Sequence, residues 1–139
     1  MQDVDGSCMM IVITDAPVDS RNLERMAKRA MMGLAKTGGI ASNGSGDYVI
    51  ALSVNKDNLI TSSKLYTPQL LHNDDMSPLF LATIEATEEA LWNALFAAKD
   101  IKGYKGNVIK ALPKEEVVKI LKKARYFEKE LPEYKVNVK

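Results

Sequence analysis

The sequence predicts an α/β fold. Three observations point there. An apolar run of strand length ends at Thr14, a helical apolar period follows it, and a second strand-length run opens at Asp47. The chain has 139 residues, the size of one ordinary domain, and a single domain over 1–139 is expected.

The first strand is predicted over Cys8–Thr14 (CMMIVIT), with β-branched residues at its end. Asp15-Ala16-Pro17 breaks it. Asp19 or Ser20 then caps a helix. Leu23, Met26, Ala27, Ala30, Met31 and Leu34 recur every three or four residues, which places them on one apolar stripe. Arg21, Glu24, Lys28, Arg29 and Lys36 fall largely off that stripe. Gly38-Gly39 stops the helix.

A polar turn over residues 41–46 leads into a second strand, Asp47–Val54 (DYVIALSV). Residues 55–76 lack periodicity, although Leu59–Thr61 could add to the sheet. A connection of this length is usually functional or mobile. Ser77-Pro78 opens a second helix, expected to reach Ala98. It is apolar around much of its circumference and carries Trp92, so burial between layers is expected. Pro113 opens a third helix to about Tyr126, with Val117, Ile120, Leu121 and Ala124 on its stripe. The charged tail, 130–139, is expected to be extended or loosely docked. Two strands do not make a stable sheet alone, so another chain or another copy should complete it, or else the polar loop region.

Composition narrows the chemistry. Nineteen basic and eighteen acidic residues give a formal charge of +1, without the basic excess of a nucleic-acid surface. Aromatic residues make up 6%, too few for stacking platforms. No apolar run approaches the ~20 residues of a membrane span, and no signal-peptide pattern opens the chain. A cytoplasmic protein is expected. One cysteine (Cys8) and one histidine (His72) cannot build a Cys/His zinc site or an internal disulfide, and no cofactor is expected. His72 sits in a polar stretch and reads as solvated loop. Tyr66 and Trp92 could line a pocket, with packing as the default. The methionines fall mostly on core positions, and the lysines from 114 to 129 read as a solvated helix face.

Two features carry the remaining chemistry. The first is Asp5-Gly6-Ser7-Cys8, directly before the opening strand. The Gly6 carbonyl is sterically open, and Gly6 can take strained dihedrals. Ser7 Oγ could attack that carbonyl in an N-to-O acyl shift. Hydrolysis of the ester would leave Ser7 as a new N-terminus, whose amine (reference pKa about 7.7–8.0) serves as a base. Most Gly-Ser pairs before strands are simple turns. Cys8 is a rival nucleophile, but alternation along an extended chain turns it to the opposite face, where it reads as a small core residue.

The second feature is Asn43-Gly44-Ser45-Gly46-Asp47. In an extended strand entry Ser45 and Asp47 face the same side. A hydroxyl beside a carboxylate can relay a proton, orient an amine or bind an α-ammonium group. The glycines allow close backbone approach and leave amides free to donate. It is neither a Walker A loop nor a Rossmann fingerprint. Read alone, it is more simply a tight turn with capping hydroxyls.

Taken together, four stretches resemble one family. Met10-Ile-Val-Ile-Thr-Asp-Ala-Pro17 precedes Leu23-Glu-Arg-Met-Ala-Lys-Arg-Ala30, and Gly33-Leu-Ala-Lys-Thr-Gly38 precedes Asn43-Gly-Ser-Gly-Asp47. This order resembles the C-terminal catalytic chain of the L-aminopeptidase/D-esterase family, which includes the β-peptidyl aminopeptidases. The resemblance runs from Gly6 to about Ala98 and is strongest over 6–54.

The resemblance implies part of an αββα four-layer sandwich, made as a precursor that cuts itself before a serine. The matching bond is Gly6–Ser7. Residues 1–6 would then belong to the precursor segment and 7–139 to the catalytic β-chain. Ser7 is the implied nucleophile. Ser45 and Asp47 match the supporting pair of the family's Gly-Ser-Gly-Asp/Glu motif. Implied substrates are small peptides, amides or esters, with no metal required. The family precursor is much longer, and its α chain, which supplies oxyanion donors and part of the pocket, is the implied partner. With residues 1–6 still attached Ser7 has no free amine, so little or no peptidase activity is expected of this polypeptide alone. A homo-oligomer is expected. Two rivals stand beside this reading. One is a non-catalytic, self-associating fragment. The other is an acyltransferase of the same fold, as in ornithine acetyltransferases, which use threonine where this chain has serine.

Overall fold

The computed structural model describes residues 6–60, 62, 65 and 67–124. Residues 1–5, Thr61, Tyr66, the expected helix end near Tyr126 and the 130–139 tail lie outside the described residues. The chain divides into two compact units, Met1–Asn93 and Ala94–Lys139.

In the first unit, β1 (Met9–Thr14) and β2 (Tyr48–Ser53) pair in parallel, with Met9 opposite Tyr48 and Thr14 opposite Ser53. Between them in sequence lies α1 (Ser20–Lys36). Asp19 is its cap: the carboxylate accepts the Asn22 N–H at 2.8 Å. The helix stops at Thr37, and Gly38 follows in the left-handed region at φ +96°, where a Cβ would be strained. The stripe read from sequence is the covered one. Met26 and Ala30 are buried, and Leu23, Ala27, Met31 and Leu34 are half-buried. Asn22 and Gly33 are buried with them.

Helix α1 lies over the sheet, more over β2 than over β1. Strand alternation turns Met10, Val12 and Thr14 toward it and Met9, Ile11 and Ile13 away. The core forms around Val18, Met26 and Met76. Val12, Ala16, Leu23, Leu71, Leu79 and Phe80 pack on it.

The connection after β2 holds short 3₁₀ turns at Lys56–Asn58 and Asn73–Asp75. It is tied to the chain that follows β1. Leu71 N–H donates to Pro17 O at 2.8 Å, Asn55 Nδ2 to Asp15 O at 2.9 Å, and Ser53 Oγ to Ala16 O at 2.8 Å. Leu59 and Ile60 join no strand.

Helix α2 (Ser77–Ala97) starts where Ser77-Pro78 predicts. It comes close to α1 at Gly33, where a Cβ would stand 2.6 Å from Thr87 Cβ and 2.7 Å from the Ile84 carbonyl oxygen. Burial between layers is not what the helix shows. Thr83 and Thr87 are buried, while Leu81 is 55% and Trp92 42% exposed. The two threonines satisfy their hydroxyls on the preceding turn, each bonding a carbonyl four residues back at 2.7 Å.

In the second unit, β3 (Ile101–Lys102) and β4 (Val108–Ile109) form a short antiparallel hairpin. Lys105 and Gly106 turn it with positive φ. Two residues per strand carry no readable alternation, which is why sequence did not show them. Helix α3 covers Lys114–Lys123. Of its expected stripe, Val117 and Leu121 are half-buried and Ile120 is exposed. No helix among the described residues is long and apolar enough to cross a membrane.

Candidate active site

Parallel pairing puts the starts of β1 and β2 side by side. The ladder extends one step before the strands, with Tyr48 N–H donating to Cys8 O at 2.9 Å. Segments 39 residues apart in sequence are thereby brought into contact. The polar turn closes through Ser45 N–H and Ser42 O at 2.9 Å and delivers Ser45, Gly46 and Asp47 beside Ser7 and Cys8.

Three hydrogen bonds define the cluster. Gly46 N–H donates to Ser7 Oγ at 3.0 Å. Cys8 N–H donates to Asp47 Oδ1 at 2.8 Å. Ser45 Oγ donates to Asp47 Oδ2. Ser45 and Asp47 therefore face each other, as their two-residue spacing predicts. The carboxylate is committed on both oxygens. It locks the entry of β1 through a backbone amide and orients the Ser45 hydroxyl. Ser7 is exposed, while Ser45, Gly46 and Asp47 are half-buried. Open space surrounds the Gly6 Cα where a side chain would stand.

The rival nucleophile is disfavoured electrostatically. Partial burial pushes the Cys8 thiol above its ordinary value, and the nearby Asp47 charge pushes it the same way. Cys8 is half-buried. Asp47 thus adds to the effect of burial on Cys8, while its hydrogen bonds hold the Cys8 amide and the Ser45 hydroxyl.

His72 stands elsewhere. It caps the turn Asn73–Asp75, its Nδ1 accepting the Asp74 N–H at 3.4 Å. The adjoining Leu71 bonds Pro17, past the far end of β1 from Ser7. Any proton handling at Ser7 by this chain falls to hydroxyl, carboxylate and amine groups.

The glycine-rich turn announces a free amide in the sequence, but that Ser7 Oγ is the acceptor of the Gly46 N–H depends on the parallel register, which the sequence does not give. The glycine itself was the available clue. A Cβ at position 46 would sit 3.4 Å from both Ser7 Oγ and Tyr48 Cε2. Tyr48, on the same exposed sheet face as Met9, also borders the cluster and was not singled out.

Comparison with known proteins identifies the family. The model of Peptidase family S58 matches residues 1–109. The chain is 39% identical over 122 residues to the beta-peptidyl aminopeptidase BapA of Sphingosinicella microcystinivorans, covering 87% of this chain and 31% of that protein. The protein PH0078 of Pyrococcus horikoshii OT3 superposes with a TM-score of 0.74 at 44% identity, over 83% of this chain and 33% of that one. The L-aminopeptidase D-Ala-esterase/amidase of Ochrobactrum anthropi, a prototype for the serine aminopeptidases and a new variant among the Ntn hydrolase fold, superposes with a TM-score of 0.69 at 26% identity, over 83% and 33%. The α/β fold is similar to that of the L-aminopeptidase D-Ala-esterase/amidase, and the chain spans about a third of the length of each of these proteins. With the family match running over most of its residues, the chain belongs to peptidase family S58.

Proposed function

We propose that this chain is the catalytic β-chain portion of a serine N-terminal-nucleophile aminopeptidase acting on small peptides, amides or esters. The observation that carries the reading is the Gly46 N–H bond to Ser7 Oγ at 3.0 Å, with the Ser45–Asp47 pair on either side of Gly46. The beta-peptidyl aminopeptidase and serine aminopeptidase relatives support it.

The chemistry runs in two stages. In processing, Ser7 Oγ attacks the Gly6 carbonyl carbon. The new C–O bond forms, the Gly6–Ser7 C–N bond breaks, and the nitrogen leaves with a proton. Water then hydrolyses the ester, which separates a Gly6 carboxylate from the Ser7 hydroxyl and leaves Ser7, with its free α-amine, as a new N-terminus. In catalysis, that amine takes the Ser7 hydroxyl proton as Oγ attacks a substrate carbonyl. It returns the proton to the departing amine, and water releases the acyl group. Gly46 fixes Oγ, while Asp47 holds the Ser45 hydroxyl and the start of β1. Residues 1–6 belong to the precursor side and 7–139 to the catalytic chain. The partner is the remaining two thirds of the family length, which supplies oxyanion donors and a pocket wall.

Co-expression with an upstream partner segment tests this. A denaturing gel with intact mass should show cleavage at Gly6–Ser7 that Ser7→Ala abolishes. Cleavage persisting in Ser7→Ala overturns the reading. Ser45→Ala and Asp47→Ala should each lower amidase turnover, by no more than the ~10²-fold that loss of one oxyanion-hole donor costs.

A second reading is favoured by a specific observation. The face of the sheet away from α1 exposes Met9, Ile11, Ile13, Tyr48, Ile50 and Leu52. A fragment with such a face can self-associate without catalysis. Size exclusion separates the two readings: a stable uncut oligomer without amidase activity supports this one.

A further inference from the structure

On α1, Arg21, Arg25 and Arg29 stand four residues apart and form one row. Like charges at this spacing repel, so such a row is costly unless something answers it. Among the described residues none of the three forms an ion pair with a carboxylate. Glu24, on the same helix, pairs instead with Lys28 at 2.7 Å. The partners of the arginines are neutral. Arg21 Nη2 and Arg25 Nη1 both donate to Asn73 Oδ1, at 3.4 and 2.7 Å. Arg25 Nη1 also donates to Asn22 Oδ1 at 2.8 Å, and Arg29 Nη1 to Arg25 O at 3.1 Å.

These contacts fix the guanidiniums and leave their charge unanswered. Arg25 and Arg29 both lie against the Phe80 ring, at 4.7 and 4.0 Å from its centroid. The aromatic surface holds both cations in place, and the hydrogen bonds given for Arg25 and Arg29 come from one Nη of each. Each guanidinium carries five N–H donors in a fork that fits an oxyanion. Arg25 and Arg29 are half-buried and Arg21 is exposed, so the row is reachable and partly desolvated.

We propose that Arg21, Arg25 and Arg29 form a binding site for a phosphate-type oxyanion. The proposal does not rest on the role of Ser7. A row serving only to clamp Phe80 and Asn73 would not bind phosphate saturably, and that is the difference to measure.

The test uses the full chain and inorganic phosphate, with acetate and chloride as comparison anions at matched ionic strength. Thermal unfolding and calorimetry should show saturable stabilisation by phosphate that neither comparison anion reproduces. Arg21→Gln should weaken phosphate binding about tenfold, as expected for loss of one charge-assisted donor set. Its unfolding midpoint without phosphate should not fall, because Arg21 is exposed, makes one long bond and adds a like charge to the row. Arg29→Lys should keep the charge, lose the fork and bind more weakly than the unaltered chain. An equal response to chloride means screening and overturns the site. An equal response to acetate makes it a carboxylate site and overturns the phosphate assignment. Unchanged phosphate affinity in Arg21→Gln overturns it as well.

Discussion

The two faces of the β1–β2 sheet are built from the same kind of residue and meet different surroundings. On one face Met10 is 7% exposed and lies under α1, with Val12 beside it. On the other, Ile11 is 61% and Ile50 53% exposed. A strand covered on one side only would alternate apolar and polar residues, whereas β1 is apolar on both sides up to Thr14. The sequence of the strand therefore specifies two covers, and this chain supplies one. The relatives it matches are about three times as long. The site sits at the edge of this difference, since alternation puts Ser7 on the face with Met9 and Ile11 and Cys8 on the face with Met10.

The largest effect should come from the covered side. Met26 is 3% exposed and packs with Val18 and Met76, so Met26→Ala removes core volume that its neighbours cannot refill. It should destabilise the chain by about 2–5 kcal/mol in urea unfolding. A loss below about 1 kcal/mol would mean that α1 does not cover the sheet in solution.

Gly33→Ala probes the layer beyond α1. Helix propensity alone favours alanine by about 1 kcal/mol. The added methyl, however, meets Thr87 Cβ at 2.6 Å and the Ile84 carbonyl at 2.7 Å, and the carbonyl cannot rotate away. Net destabilisation of about 1–3 kcal/mol is expected by thermal unfolding. A stabilised variant would show that α2 does not approach α1 this closely.

Local signals made much of this legible. Asp19 and Gly38 bound α1 to within two residues, because a cap and a left-handed glycine act through neighbouring backbone alone. Ser77-Pro78 marked the start of α2 for the same reason. The pairing of Ser45 with Asp47 was readable from a two-residue period. What sequence did not show was non-local or too short. The Gly46 donor to Ser7 depends on parallel register, the β3–β4 hairpin has two residues a strand, and the arginine row meets Asn73 about fifty residues away. Trp92 and Leu81 misled because an apolar helix reads as buried whether or not its cover is present.

The smallest effect is the sharpest test of the two faces. Ile11→Ser alters a side chain that projects away from α1, so it should shift the stability of the chain alone by no more than about 0.5 kcal/mol. The same substitution should cost several times more if the proposed partner portion covers this face, because the hydroxyl would then replace buried apolar surface. Urea unfolding of the chain alone and of the co-expressed pair measures both numbers. A loss of about 2 kcal/mol in the chain alone would break the comparison, since the face would already be covered. Repeating the unfolding at several protein concentrations then identifies the cover. A midpoint that rises with concentration means a second copy is packed there, and one that does not means the chain itself folds over the face.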